Sequence, residues 1–174
     1  PQTHFVAALL DIDDFKFIND IYGHSYGDRA LKSLADSMKA FFPSDALLGR
    51  NGGDEFGILL PNCTFKEVTE QMQQFTKLPK TFSYMGKGQQ IYISLGYAEY
   101  PTFASSYSQL MRCADAALYE IKLHGKNGCM AYREGLQSGV RKQLGFAFKD
   151  ISEHLPGAFI IYSCLLYTSD AADD

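Results

Sequence analysis

Residues 5–12 (FVAALLDI) form an unbroken apolar run ending in an acid, the pattern of a central strand buried on both faces. Asp13 or Asp14 is placed to cap a short helix reaching about Ile21, and Gly23 to Gly27 then reads as a turn containing His24. From Tyr26 to Phe42, Leu31, Leu34, Ala35, Met38, Phe41 and Phe42 recur at helical spacing until Pro43. Apolar stretches at 46–50 and 55–60 flank a glycine-rich acidic turn and predict a β-hairpin. Phe65, Val68, Met72, Phe75 and Leu78 mark an amphipathic helix stopped by Pro79. Residues 89–98 alternate as a strand does, Leu110, Met111, Ala114, Leu118 and Ile121 stripe a helix ending near Gly125, and a last strand is expected over 128–132. The predicted order is β-α-α-β-β-α-β-α-β. A hairpin in its middle argues against an all-parallel sheet, so the expected class is α+β, a central, mostly antiparallel sheet flanked by helices.

The character changes after about Glu134. Residues 139–155 carry Val140, Leu144, Phe148, Ile151 and Leu155 at helical spacing, and 135–163 is expected to be a linker helix followed by the start of a PAS-like domain. Residues 164–174 (CLLYTSDAADD) have no matching periodicity and resemble the translation of a sequencing adapter, so they are set apart as non-native.

Composition narrows the function. With 174 residues, 46% hydrophobic and 21% charged, the chain is of ordinary globular make-up and long enough for a core without disulfides. A net charge of −4 speaks against a nucleic-acid partner, while leaving room for a locally basic nucleotide site. Cys63, Cys113, Cys129 and Cys164 are far apart and form no C-x-x-C pair, as expected of reduced thiols in the cytoplasm. No apolar run is long enough to span a bilayer, so this segment makes no membrane contact, although the full-length protein can carry an anchor elsewhere.

Two acidic clusters carry candidate chemistry. Asp11-Ile12-Asp13-Asp14 sits where a buried strand ends, and Gly52-Gly53-Asp54-Glu55-Phe56 sits at the hairpin turn, where paired glycines allow a tight bend. Neighbouring strands lie about 4.8 Å apart, so a strand-end Asp and a hairpin-tip Asp can meet. Their mutual repulsion is relieved by a hard cation, and magnesium suits a few carboxylates plus phosphate oxygens. Each cluster alone also reads as an ordinary cap or hairpin tip. Lys16 lies near the start of the first helix, where free N–H groups favour anions. Lys122 and Lys126, four apart, are expected on one face at the end of the last long helix. Taken singly, each lysine also reads as a solvated surface charge. Asn19 and Asp28 offer groups able to read a guanine edge, or serve as cap and turn residues.

The segments DIDDFKFINDIYGHSYGD (11–28), RNGGDEF (50–56) and ADAALYEIKLHGKN (114–127) resemble, in order, the signatures of the GGDEF domain family. The likeness covers about 5–132. It implies a fold related to nucleotidyl cyclases and polymerase palm domains, and diguanylate cyclase activity: two facing domains, a homodimer, each hold one GTP, and each 3′-hydroxyl attacks the other's α-phosphate. By position, Asp11, the backbone carbonyl of Ile12 and Asp54 would hold the metal, two magnesium ions per active site with manganese as a substitute. Asp54 would assist deprotonation of the hydroxyl and Glu55 would support the turn. Lys16, Lys122 and Lys126 would hold phosphates, and Asn19 and Asp28 would bind guanine.

Two departures from the family pattern stand out. The R-x-x-D segment of the product-inhibition site is replaced by Pro43 and Ala46, so no inhibitory site is expected. The helical D-x-L-T-G-L-x-N-R segment that precedes the first strand in the family has no counterpart in these residues, so 1–134 reads as a GGDEF domain lacking it, and this fragment is expected to have an incomplete pocket. The competing readings are a non-catalytic GTP-sensing module regulating an attached output domain, and an unrelated nucleotidyl-transfer palm domain. Intact Asp11, Asp54, Lys16 and Lys122 favour the synthase.

Overall fold

The computed structural model describes residues 4–136. The expected linker helix, PAS-like start and adapter-like tail fall, from residue 137 on, outside the described residues.

The element order is β1 (Phe5–Ile12), α1 (Phe15–Tyr22), α2 (His24–Phe41), β2 (Leu47–Gly52), β3 (Glu55–Pro61), α3 (Phe65–Lys77), β4 (Lys80–Tyr84), β5 (Lys87–Ile91), β6 (Ile93–Tyr100), α4 (Tyr107–Leu123) and β7 (Gly128–Ala131). Five strands form one sheet in the order β2-β3-β1-β6-β7, antiparallel throughout except for the parallel β6–β7 pair. The class is α+β, as expected.

β1 is the middle strand, which explains its apolar run: both faces are covered. Val6, Ala8, Leu10 and Ile12 point into a core built with α2, α3, β3 and β6, around Leu34, Met38, Met72 and Phe75. Ala7 and Leu9 point the other way, into a smaller core under α4 with Leu110, Ala114 and Leu118. α4 lies close against β6 because Gly96 has no side chain; a Cβ there would meet the backbone N of Leu118 at 2.1 Å. That approach matters for function, since α4 brings Lys122 to the end of β1.

The alternating segment 89–98 is not one strand. It breaks at Tyr92, and its first residues belong to a separate β4–β5 hairpin packed beside α2. Met85 and Gly86 turn this hairpin with φ 49° and 74°, the two positive values a tight two-residue turn needs. His24 opens α2 and is not a turn residue.

Lys80, at the start of β4, is 2% exposed. Its ammonium donates to the carbonyls of Phe75 and Leu78 at the end of α3 and lies 4.1 Å from the centroid of the Phe75 ring. Burial lowers its pKa from 10.5 to about 8. Between these values the unfolded chain holds a proton that the folded one has released, so stability attributable to Lys80 rises with pH. Urea unfolding of wild type and Lys80→Met should show a constant difference below pH 8 and a growing advantage for wild type from about pH 8 to 10.5. A flat difference across that range would show that the ammonium is solvated.

Candidate active site

Antiparallel pairing sets Asp11 opposite Glu55 of β3 and Ser94 of β6, so Glu55, Asp11 and Ser94 form one row across the α4 face of the sheet. Asp11 and Glu55 are 3% and 6% exposed. Asp54 occupies the β2–β3 turn with Gly52 (φ 132°) and Gly53 (φ 55°), values that glycine alone adopts freely. A register shift between Arg50 and Gly52 bulges β2, and Arg50 Nε donates to the Gly53 carbonyl at 2.8 Å, closing the turn.

The turn carries Asp54 to Asp11, and the two carboxyl groups are joined by a hydrogen bond. Burial, that shared bond and repulsion from Asp11 push the Asp54 carboxyl up to about 7, against the pull of its own backbone N–H and of Lys122. Lys122, from the last turn of α4, donates to Asp11 Oδ2. Ile12 ends β1 with its side chain in the core, leaving its backbone for the site.

Two carboxyl groups held together against their own repulsion form an oxygen donor pair of the kind a divalent cation neutralises. Among the described residues, no group of three or more His, Cys, Asp and Glu side chains is arranged to hold a metal by itself. The remaining ligands would come from phosphate and water, as magnesium prefers.

α1 begins after Asp14, which sits at φ 58° and makes no side-chain cap bond. Neither Asp13 nor Asp14 therefore caps this helix in the expected way, because their carboxylates are engaged elsewhere. Lys16 is exposed in the first turn of α1. Asn19 sits over Gly27 of α2: a Cβ on Gly27 would lie 2.0 Å from Asn19 Oδ1, so the glycine makes the room this side chain fills. Asn19 Oδ1 is buried with no hydrogen-bond partner among the described residues, a rare state that favours an incoming donor. Asp28 follows Gly27 and is exposed.

Lys126 departs from expectation. α4 ends at Leu123, and Gly125 and Lys126 have φ 107° and 63°, so Lys126 lies in a turn and not on the helical face of Lys122. Its ammonium pairs with Asp14 at 2.5 Å, which raises its pKa. Sequence reasoning named Asp13 in the first acidic cluster and as a cap but missed Ser94 and what Asp13 holds: Ser94 Oγ donates to Asp13 Oδ1 at 2.6 Å, and the Asn127 backbone N–H donates to Asp13 Oδ2 at 2.9 Å. The alternation of β6 placed Ser94 in a strand, but nothing local tied it to residue 13.

A mixed, mostly antiparallel sheet flanked by helices, with two acids meeting at the end of its central strand and Lys122 from the end of α4 bonded to one of them, has the cyclase palm-like fold. The family model described as diguanylate cyclase, GGDEF domain matches residues 1–128, and the chain belongs to this family. Among curated relatives, it is 35% identical over 130 residues to the uncharacterized protein YhcK of Bacillus subtilis, covering 73% of this chain and 36% of that one. It is 32% identical to the probable diguanylate cyclase DgcF of Escherichia coli K12, covering 76% and 44%. It thus spans well under half of each of these relatives. Among solved structures, the GGDEF domain of DgcB from Caulobacter crescentus in complex with c-di-GMP superposes with TM-score 0.66 at 30% identity, covering 74% of this chain and 78% of that one. A GGDEF-only form of PA1120 from Pseudomonas aeruginosa gives TM-score 0.70 at 28% identity, covering 75% and 77%. No helix among the described residues is long and apolar enough to cross a membrane.

Proposed function

We propose that this chain is the catalytic domain of a diguanylate cyclase, which condenses two GTP into cyclic di-GMP with release of pyrophosphate. The observation that carries the reading is the meeting of Asp11 and Asp54, far apart in the chain, with Lys122 bonded to Asp11. Magnesium, held by Asp11, Asp54 and the Ile12 carbonyl, supplies charge neutralisation for phosphoryl transfer when bound. Asp54, beside Asp11 at the tip of the turn, is the group placed to take the proton of an attacking 3′-hydroxyl. Glu55, beside Asp11 in the row, braces the turn. Lys122 in the last turn of α4, Lys126 three residues past its end and Lys16 at the start of α1 provide the counter-charge for a triphosphate. Asn19, with its partnerless buried oxygen, and neighbouring Asp28 accept from the guanine edge, which is a donor at N1 and N2. The two half-reactions require two domains face to face, so the active form is a homodimer.

Product feedback through the groove beside Pro43 is not part of this reading. That groove, about 370 Å³, is lined by Asp45, Glu67 and Glu70 and by no lysine or arginine, a poor match for a dianion. Full-length protein incubated with GTP and magnesium should form cyclic di-GMP, and added cyclic di-GMP should not inhibit through this groove. GTP binding without product would replace the synthase with a sensing module. Inhibition abolished by substitutions around Pro43 would overturn the feedback statement.

A further inference from the structure

The Asp13 carboxylate is 7% exposed yet belongs to neither the paired acids nor a helix cap. Each of its oxygens accepts a hydrogen bond, one from the Ser94 hydroxyl and one from the Asn127 backbone N–H, while its own N–H donates to the Tyr92 carbonyl at 2.9 Å. Three separate pieces of chain are therefore tied at one buried charge: the end of β1, the start of β6 and the turn between α4 and β7. Bonds to an ionised acceptor are among the stronger ones, and an unmet buried partner is costly.

The turn being held is an unusual one. Gly125, Lys126 and Asn127 have φ 107°, 63° and 50° in succession, and the two non-glycine residues persist there only where their surroundings over-determine them. The anchors are the Lys126 N–H to the Ile121 carbonyl at 3.0 Å, the Lys126 ammonium to Asp14, and the Asn127 N–H to Asp13. The middle one is exposed and weak; the last is part-buried and charge-assisted.

We propose that Asp13 is a positioning residue: its buried carboxylate clasps the α4–β7 turn to the end of β1, and so fixes where Lys126 and the end of α4 with Lys122 present their charge to a triphosphate. This rests on the reading that GTP is bound here. The role differs from that of Asp11 and Asp54, since both Asp13 oxygens are already engaged by the scaffold.

The test uses full-length protein with Asp13→Ala, Asp13→Asn and Ser94→Ala. Asp13→Ala should raise KM for GTP by about 10- to 100-fold, the range for losing a residue that orients a binding group, with kcat and the pH profile little changed. Asp13→Asn should recover most of the loss, because its amide oxygen can accept from Asn127 N–H while its amide nitrogen donates to Ser94 Oγ. Should the alanine variant not fold, Ser94→Ala, which removes one of the two bonds, should raise KM by a smaller factor. Without nucleotide, exchange of the Asn127 amide should quicken by about 5- to 150-fold in Asp13→Ala and stay near wild type in Asp13→Asn. A fall in kcat at unchanged KM, no rescue by asparagine, or unaltered Asn127 exchange would each overturn the proposal. If exchange responds as stated but wild type binds no GTP, the clasp stands as architecture while its role toward a triphosphate falls together with the cyclase reading.

Discussion

Replacing Asp54 by alanine in the full-length protein is expected to lower cyclic di-GMP formation by about 10²- to 10³-fold, the loss associated with removing one key electrostatic group. The side chain stands at a turn that brings it to Asp11, where burial and the neighbouring acid raise its pKa. On the proposed reading, alanine removes both a cation ligand and the group that takes the hydroxyl proton. Asp54→Asn should do nearly as much harm, since it keeps the size and the bond to Asp11 but cannot ionise. Folding should respond in the opposite direction. The folded pKa of about 7 lies above the ordinary 3.8, so the native state holds a proton that the unfolded chain has released between these values. Wild type therefore loses stability relative to Asp54→Ala as pH rises through about 7, and this is read from unfolding midpoints without nucleotide or metal. Near-normal turnover in either variant would end the assignment of Asp54.

The largest effect on stability is expected at Phe75. Its side chain is fully buried in the last turn of α3, with the rings of Phe41 and Phe42 at 5.2 and 4.9 Å and the Lys80 ammonium over its face. Phe75→Ala should cost about 3–5 kcal/mol, from lost apolar burial and the cavity left between α2, α3 and β4. The ammonium above would lose its aromatic face as well, which places the value toward the upper end. Phe75→Leu refills most of the volume and should cost less. Denaturant unfolding measures both, and a loss under about 1 kcal/mol for alanine would mean the site collapses freely around the gap.

Much of this was legible in the chain because periodic burial writes itself into local pattern. The apolar run of β1 announces a strand covered on both sides, and Pro43 and Pro79 mark the ends of α2 and α3. The β4–β5 hairpin was not legible: its turn uses Met85-Gly86 in place of the familiar asparagine-glycine signal, and residues 89–98 alternate straight through the break at Tyr92. The acids at 11 and 54 were legible as candidates because both sit at element ends. Lys126 was misplaced because helical spacing says nothing about a helix that stops at Leu123.

By itself the sequence determined the order of elements apart from the β4–β5 hairpin, the class of fold and the residue types able to serve a metal-bound triphosphate, since these depend on neighbours within a few positions. Only the tertiary structure decided which of those residues meet. Cross-strand register placed Asp11 beside Glu55 and Ser94, the bulged turn carried Asp54 to Asp11, and the close approach at Gly96 delivered Lys122. The clasp at Asp13 joins residues 81 and 114 positions apart, and a buried charge of that kind takes its partners from whatever the folded sheet brings near.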